Sequence, residues 1–235
     1  MEYLSNEKVE EIAAELFRSY KEMLDAEWDV LCVEPLVLAE MLGYEVTLLE
    51  FGEDSEILGL TAFRDMDVTL TDKYGKSHRL HLNKKSIVIN KSLKESSFGR
   101  YKFTIAHELA HHIIDEMCNV CYSVKYRKQP HFVMNKPQPL PADYDEYAAN
   151  KLAAAILMPK EVLEMVYKFC FNNEYVERIN SVYDKENYRL FVSISKLLGV
   201  SREALSIRLK DLGMLGEYRY MTISEIIDVY GEDVA

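Results

Sequence analysis

The sequence predicts an α+β fold, on three observations. Apolar residues recur at helical spacing near the start of the chain and again from about residue 101 onward. Between them, residues 44–90 break into short apolar runs separated by turn-forming residues, as strands do. Hydrophobic residues make up 49% and charged residues 29% of the 235, a balance that suits a globular chain and excludes collagen-like and wholly disordered ones.

In chain order, Val9, Ile12, Ala13, Leu16, Tyr20, Met23 and Leu24 mark a helix from Asn6 to about Leu31, with Ser5 as its N-cap. A short helix follows over Pro35 to Leu42, with proline in its first turn and Gly43 just past its end. Strands are expected at Tyr44–Leu49, Leu60–Leu70, His78–Leu82 and Ser86–Asn90. Gly52, Gly59, Gly75 and Asn83 mark the turns. Ile87-Val88-Ile89 has the continuous apolar character of a buried strand. Helical spacing returns from Tyr101 to Met117. Four of the six prolines then fall between Gln129 and Asp143, which excludes regular helix or central strand there and predicts a loop. The next helix should run from Asp143 to Met158, because Pro159 disfavours helical geometry in its predecessor. Beyond it the chain reads as helical, with breaks near Asn172, Asp184, Gly199 and Gly213. Two domains are expected: residues 1–160 with the sheet, and residues 161–235 as a helical part.

The formal net charge is −11. DNA affinity rests on cationic surface, so this balance argues against DNA binding and leaves room for a basic protein partner. The opening MEYLSNEKVEEIAAEL lacks the basic start and apolar run of a signal peptide, and no apolar stretch is long enough to span a bilayer. The four cysteines show no disulfide framework. A cytoplasmic protein with no membrane role is the expectation.

Chemistry concentrates in Thr104-Ile105-Ala106-His107-Glu108-Leu109-Ala110-His111-His112, which contains H-E-x-x-H. At about 100° per residue, His107 and His111 lie about 40° apart, one turn along the same helix face. One tetrahedral zinc can take both imidazoles. Glu108 need not bind the metal and can instead take the proton of an attacking water. The five-residue pattern alone is short enough to arise by chance, but the apolar lining of Ile105, Leu109, Ile113 and Ile114 argues that the histidine pair has a purpose.

A catalytic zinc needs a third protein ligand and an open position. His112 points about 140° away from His107 and is excluded. Cys118 and Cys121 lack a second pair and read as partly buried thiols. Glu146 is the stronger candidate: its helix carries Ala149 and Ala153, small residues that let two helices approach closely. Asn150, one turn beyond, could support the site by hydrogen bonding, and Tyr144 or Tyr147 could reach it as an oxyanion donor.

Three segments resemble the ImmA/IrrE family of metallopeptidases. Arg100-Tyr101-Lys102-Phe103-Thr104-Ile105-Ala106-His107-Glu108-Leu109-Ala110-His111 is similar to the family's R-x-x-F-T-x-A-H-E-x-x-H. Glu146-x-x-Ala149-Asn150-x-Leu152-Ala153-Ala154-x-Ile156-Leu157-Met158-Pro159 resembles E-x-x-A-N-x-F-A-A-x-L-L-M-P, with Leu152 in place of phenylalanine. Phe191, Ile194, Leu197, Val200-Ser201, Ala204 and Arg208-Leu209 resemble the family's helix-turn-helix-like tail. The resemblance implies a small zincin-like domain, a twisted sheet beside the active-site helices. It implies Zn2+ held by His107, His111 and Glu146, with Glu108 as general base. It also implies a protein substrate, a helix-turn-helix transcriptional repressor whose cleavage relieves repression in a mobile element or stress response. The competing expectation is a non-catalytic, metal-containing regulator that binds DNA or a protein partner through the C-terminal helices. Lys196, Arg202, Arg208 and Lys210 decorate those helices, and Lys125, Arg127 and Lys128 form a second basic cluster near the proline-rich loop.

Overall fold

The computed structural model describes residues 4–25, 30–50, 57–72, 74–118, 141–172, 175–179, 181 and 184–218. The chain divides into two compact units, Met1–Pro159 and Lys160–Ala235.

The first unit is built around one strand. β5 (Ser86–Asn90) is buried along its whole length, because Ile87, Val88 and Ile89 offer apolar surface to both faces of the sheet. It pairs parallel with β1 (Glu45–Leu49) and antiparallel with β2 (Gly59–Ala62), so the sheet order is β1-β5-β2. β3 (Met66–Thr71) and β4 (Ser77–Leu82) form a separate antiparallel hairpin. Its turn is held by Asp72, whose Oδ1 accepts from the backbone N–H of Tyr74 at 2.8 Å and of Lys76 at 3.0 Å, with Gly75 at φ +77°. The hairpin alternates: Val68, Leu70 and Leu82 face inward against Leu60, Ala62 and Val88.

Two expectations fail here. The run Leu60–Leu70 is not a single strand; it bends at Phe63-Arg64-Asp65 and continues in the other sheet. Asp65 anchors the bend by accepting from the Lys84 N–H at 2.7 Å. Gly59 is not a turn residue but the first residue of β2. Apolar residues on either side of the bend serve one cluster, so hydropathy runs on across a break in the backbone.

Helices cover the sheet. α1 (Asn6–Met23) is capped by Ser5, whose hydroxyl accepts from the Lys8 N–H at 3.2 Å, and buries Val9, Ile12, Ala13, Phe17 and Tyr20. It stops eight residues before the expected Leu31: its apolar face ends at Tyr20, Met23 and Leu24 are exposed, and Asp25 turns to φ +45°. α2 (Pro35–Met41) starts on its proline as expected. α3 (Ser92–Ser96), a short helix the sequence reading did not separate, is tied to β5 by Asn90, whose Oδ1 accepts from the Ser92 N–H and hydroxyl at 3.1 and 2.9 Å.

α4 (Phe98–Cys118) is buried on every side from Tyr101 to Ile114 and packs against α2, β2, β5 and α5 (Pro141–Leu157). Ala149 and Ala153 are fully buried on α5, which packs on both α1 and α4. Gly52, Cys121, the Lys125–Lys128 cluster and most of the proline-rich loop lie outside the described residues, and nothing is described of the Cys118 side chain.

The second unit contains α6 (Lys160–Phe171), β6 (Val176–Ile179), α7 (Lys185–Leu198), α8 (Arg202–Asp211) and β7 (Leu215–Tyr218). It is not helical throughout, because β6 and β7 pair in parallel. The Tyr167 hydroxyl joins them: it donates to the Met214 carbonyl at 2.5 Å and accepts from the Val176 N–H at 3.2 Å. Strands of four residues offer too little periodicity to be distinguished from helix in sequence. The α7–α8 junction does follow the helix-turn-helix-like pattern. Gly199 sits at φ +67° as the C-cap of α7, and the Ser201 hydroxyl caps α8 by accepting from Ala204 N–H at 3.0 Å. Phe191, fully buried, anchors this unit's core with Ile194, Leu198, Leu205 and Leu209.

Because β5 has no solvent-facing side, truncating its centre leaves a cavity. Ile87→Ala should lower unfolding stability by about 2–5 kcal/mol, read as a reduced urea midpoint by circular dichroism. An unchanged midpoint would mean that the strand is not the core element described.

Candidate metal centre

α4 buries four polar side chains in succession around its axis. His107, Glu108, His111 and His112 are each at most 5% exposed. Burial of such groups is unfavourable unless each finds a partner, so their surroundings define the site.

His107 and His111, one turn apart, bring their Nε2 atoms to 2.8 Å, with the rings nearly perpendicular at 4.5 Å between centroids. The ring of Phe103 stacks along His107. Glu146, in the second turn of α5, closes the group. Its Oε1 lies 3.3 Å from His111 Nε2 and its Oε2 3.5 Å from His107 Nε2. The three side chains are the one group among the described residues whose donor atoms could hold a metal ion. The α5 helix can bring its carboxylate this close because the residues facing α4 are small.

Whether a metal suits this set is a question of donor chemistry and spacing. Two imidazole nitrogens and one carboxylate oxygen form the mixed N/O set of catalytic zinc sites and also suit manganese or iron. In a tetrahedron with bonds of about 2.0–2.1 Å, neighbouring donors stand about 3.3–3.4 Å apart. The nearest approaches of Glu146 are of that order, Oε1 to His111 and Oε2 to His107, and the His107–His111 separation is tighter. Glu146 keeps about a third of its side chain exposed while both histidines are buried, so one side of the group faces solvent. The residues therefore fit a divalent ion with a position left for water.

Glu108 does not join this group. Its carboxylate turns to the sheet, where Oε2 accepts a 2.5 Å hydrogen bond from the Thr61 hydroxyl of β2. Sequence reasoning missed Thr61 and misassigned Gly59, which lies directly beneath the same carboxylate. An isolated glycine within a strand pattern marks a close backbone approach as well as a turn, and that signal was available.

His112 is a core residue, in keeping with its predicted exclusion from the metal group. It packs between the rings of Tyr44 and Phe63, at 4.7 and 5.0 Å, and its ring N–H donates to the Ser86 carbonyl. Burial pushes its pKa down to about 4, so the ring is neutral at pH 7. Tyr147 lies partly exposed with the Lys151 ammonium 5.4 Å over its ring, an arrangement that gives no sign of an oxyanion role. Nothing is described of the Tyr144 side chain.

The geometry leads to a direct binding test. Calorimetric titration of chelator-treated protein with zinc should give one site per chain. His111→Ala and Glu146→Gln should each weaken it by at least about 100-fold, beyond the loss usual for removing a supporting residue. Retention of full affinity in Glu146→Gln would remove Glu146 from the ligand set.

A comparison with curated proteins gives no match. Residues 58–210 match the family model described as the IrrE N-terminal-like domain, Peptidase M78. The match begins just before β2, well ahead of the motif-bearing segments, and takes in the strand that holds Glu108 as well as both helices of the metal group. It covers well over half of the chain, and with the buried His107–His111–Glu146 group inside it, the protein belongs to the Peptidase M78 family of IrrE N-terminal-like metallopeptidases.

Proposed function

We propose that this protein is a zinc-dependent endopeptidase that cleaves a helix-turn-helix transcriptional repressor in the cytoplasm, relieving repression in a mobile-element or stress response. The observation that carries the reading is the convergence of His107, His111 and Glu146 on one spot, with Glu108 buried in the same helix. In this reading the first three hold the ion and Glu108 is the general base. Zinc bound there supplies Lewis acidity, polarising the substrate carbonyl and lowering the pKa of water toward about 7.

Glu108 manages the proton. Its carboxylate accepts the proton of the attacking water as the new C–O bond forms at the scissile carbonyl carbon. It then returns that proton to the amide nitrogen as the C–N bond breaks. One water is consumed, and a new carboxyl and a new amino terminus leave.

The proposed partner comes from the family resemblance, and the net charge is compatible with it. A repressor that holds DNA must present cationic surface, and a protein of net charge −11 attracts such a surface while repelling nucleic acid. On this reading α7 and α8 dock protein rather than read DNA.

The test is cleavage of a helix-turn-helix repressor, sought first among the products of the neighbouring genes, followed by electrophoresis and mass spectrometry. Cleavage should stop with a chelator and resume with zinc. Glu108→Gln should bind zinc as the wild type does and cut at least about 100-fold more slowly. If Glu108→Gln still relieves repression fully, the protein acts instead as a non-catalytic regulator.

A further inference from the structure

We propose that Gly59 and Thr61 of β2 are positioning residues for Glu108, forming a seat in the sheet that aims its carboxylate. The inference rests on the reading of Glu108 as general base and extends it to a strand outside the metal-binding motifs.

Residues two apart in a strand share a face. Leu60 and Ala62 belong to the apolar cluster with Val68, Leu82 and Val88. Gly59 and Thr61 therefore face the other way, toward α4, and both meet Glu108 there. Thr61, only 2% exposed, is committed to that carboxylate. A hydroxyl has one proton to donate, and the 2.5 Å contact to Oε2 takes it in preference to the 3.4 Å approach to the Glu108 carbonyl.

Gly59 has a different task. Its backbone does not adopt positive φ, so its conformation is open to any residue. Space is what excludes a side chain. A Cβ placed there would stand 2.7 Å from Glu108 Oε1, 2.9 Å from Glu108 Cγ and 2.9 Å from Thr104 Cγ2. Thr104 presents that methyl because its hydroxyl is turned back to donate to the Arg100 carbonyl at 2.9 Å. Glycine weakens a strand interior, and here it lets the base lie flat on the backbone of β2. One oxygen of the carboxylate is held by a hydrogen bond and the other is confined by contact. A flexible side chain is thereby restricted to one orientation.

The experiment compares Thr61→Val, Thr61→Ser and Gly59→Ala with wild type and Glu108→Gln. Each is measured for zinc affinity by calorimetry, for kcat and KM on the helix-turn-helix repressor that the wild type cleaves, and for Glu108 placement by crystallography. Thr61→Val keeps the shape and loses the donor. It should bind zinc within about 3-fold of wild type, hold KM, and lose about 10- to 100-fold in kcat, with the carboxylate displaced from its seat. Thr61→Ser should restore both kcat and placement. Gly59→Ala should displace the carboxylate in the same way; if it fails to fold, the Thr61 pair still decides the question. An inactive Glu108→Gln beside a fully active Thr61→Val with an unmoved carboxylate overturns the positioning claim and leaves the peptidase reading intact. A large loss of zinc affinity in Thr61→Val also overturns it, since the residue would then support the metal group. A fully active Glu108→Gln instead overturns the peptidase mechanism, and the seat is then judged on carboxylate placement alone.

Discussion

The structure depends on one constraint: α4 is a polar-bearing helix buried on all sides. Every residue from Tyr101 to Ile114 is buried, yet this stretch contains three histidines and a glutamate. Such groups remain in a core only where the surroundings satisfy them. Three neighbours of α4 serve them. α5 brings Glu146 to His107 and His111, β2 brings Thr61 to Glu108, and β5 brings the Ser86 carbonyl to His112.

This distribution explains the architecture better than apolar packing alone. The helix rotates about 100° per residue, so the His107–His111 pair leaves it on one face and the Glu108–His112 pair on another. The first face meets α5 and the second meets β2 and β5, neighbouring strands of one sheet, and these elements are shaped for the encounter. α5 is rich in alanine where helices must approach, and β2 has a glycine where a carboxylate must lie. β5 is continuous in apolar residues because it is covered on both faces. A further buried polar residue on α4, Lys102, is satisfied in the same manner by an ion pair with Glu34, just ahead of α2.

Legibility in the sequence followed the range of the interactions. Caps, glycine stops and proline starts act within a few residues, and Ser5, Pro35, Ser201 and Gly199 were all read correctly from their neighbours. The bend at Phe63-Arg64-Asp65 was not, because apolar residues on both sides fill a single cluster and hydropathy registers burial rather than direction. The end of α1 was overrun for a related reason: Met23 and Leu24 keep the helical spacing but are exposed. The β6–β7 pair escaped notice because a parallel pair between short strands owes its existence to contacts nearly forty residues apart.

By itself the sequence determined the spacing of His107 and His111, since helix geometry converts four residues into one shared face without help from elsewhere. It also singled out Glu146, because a carboxylate in an alanine-rich helix is a local pattern. Only the tertiary structure decided that the carboxylate stands within 3.5 Å of both imidazoles, that His112 belongs to the core, and that Glu108 rests on Gly59 and Thr61. Those facts depend on where separate elements meet. A hydrogen bond spanning 47 residues leaves no periodicity in the chain, so it becomes visible only when strand and helix are brought together.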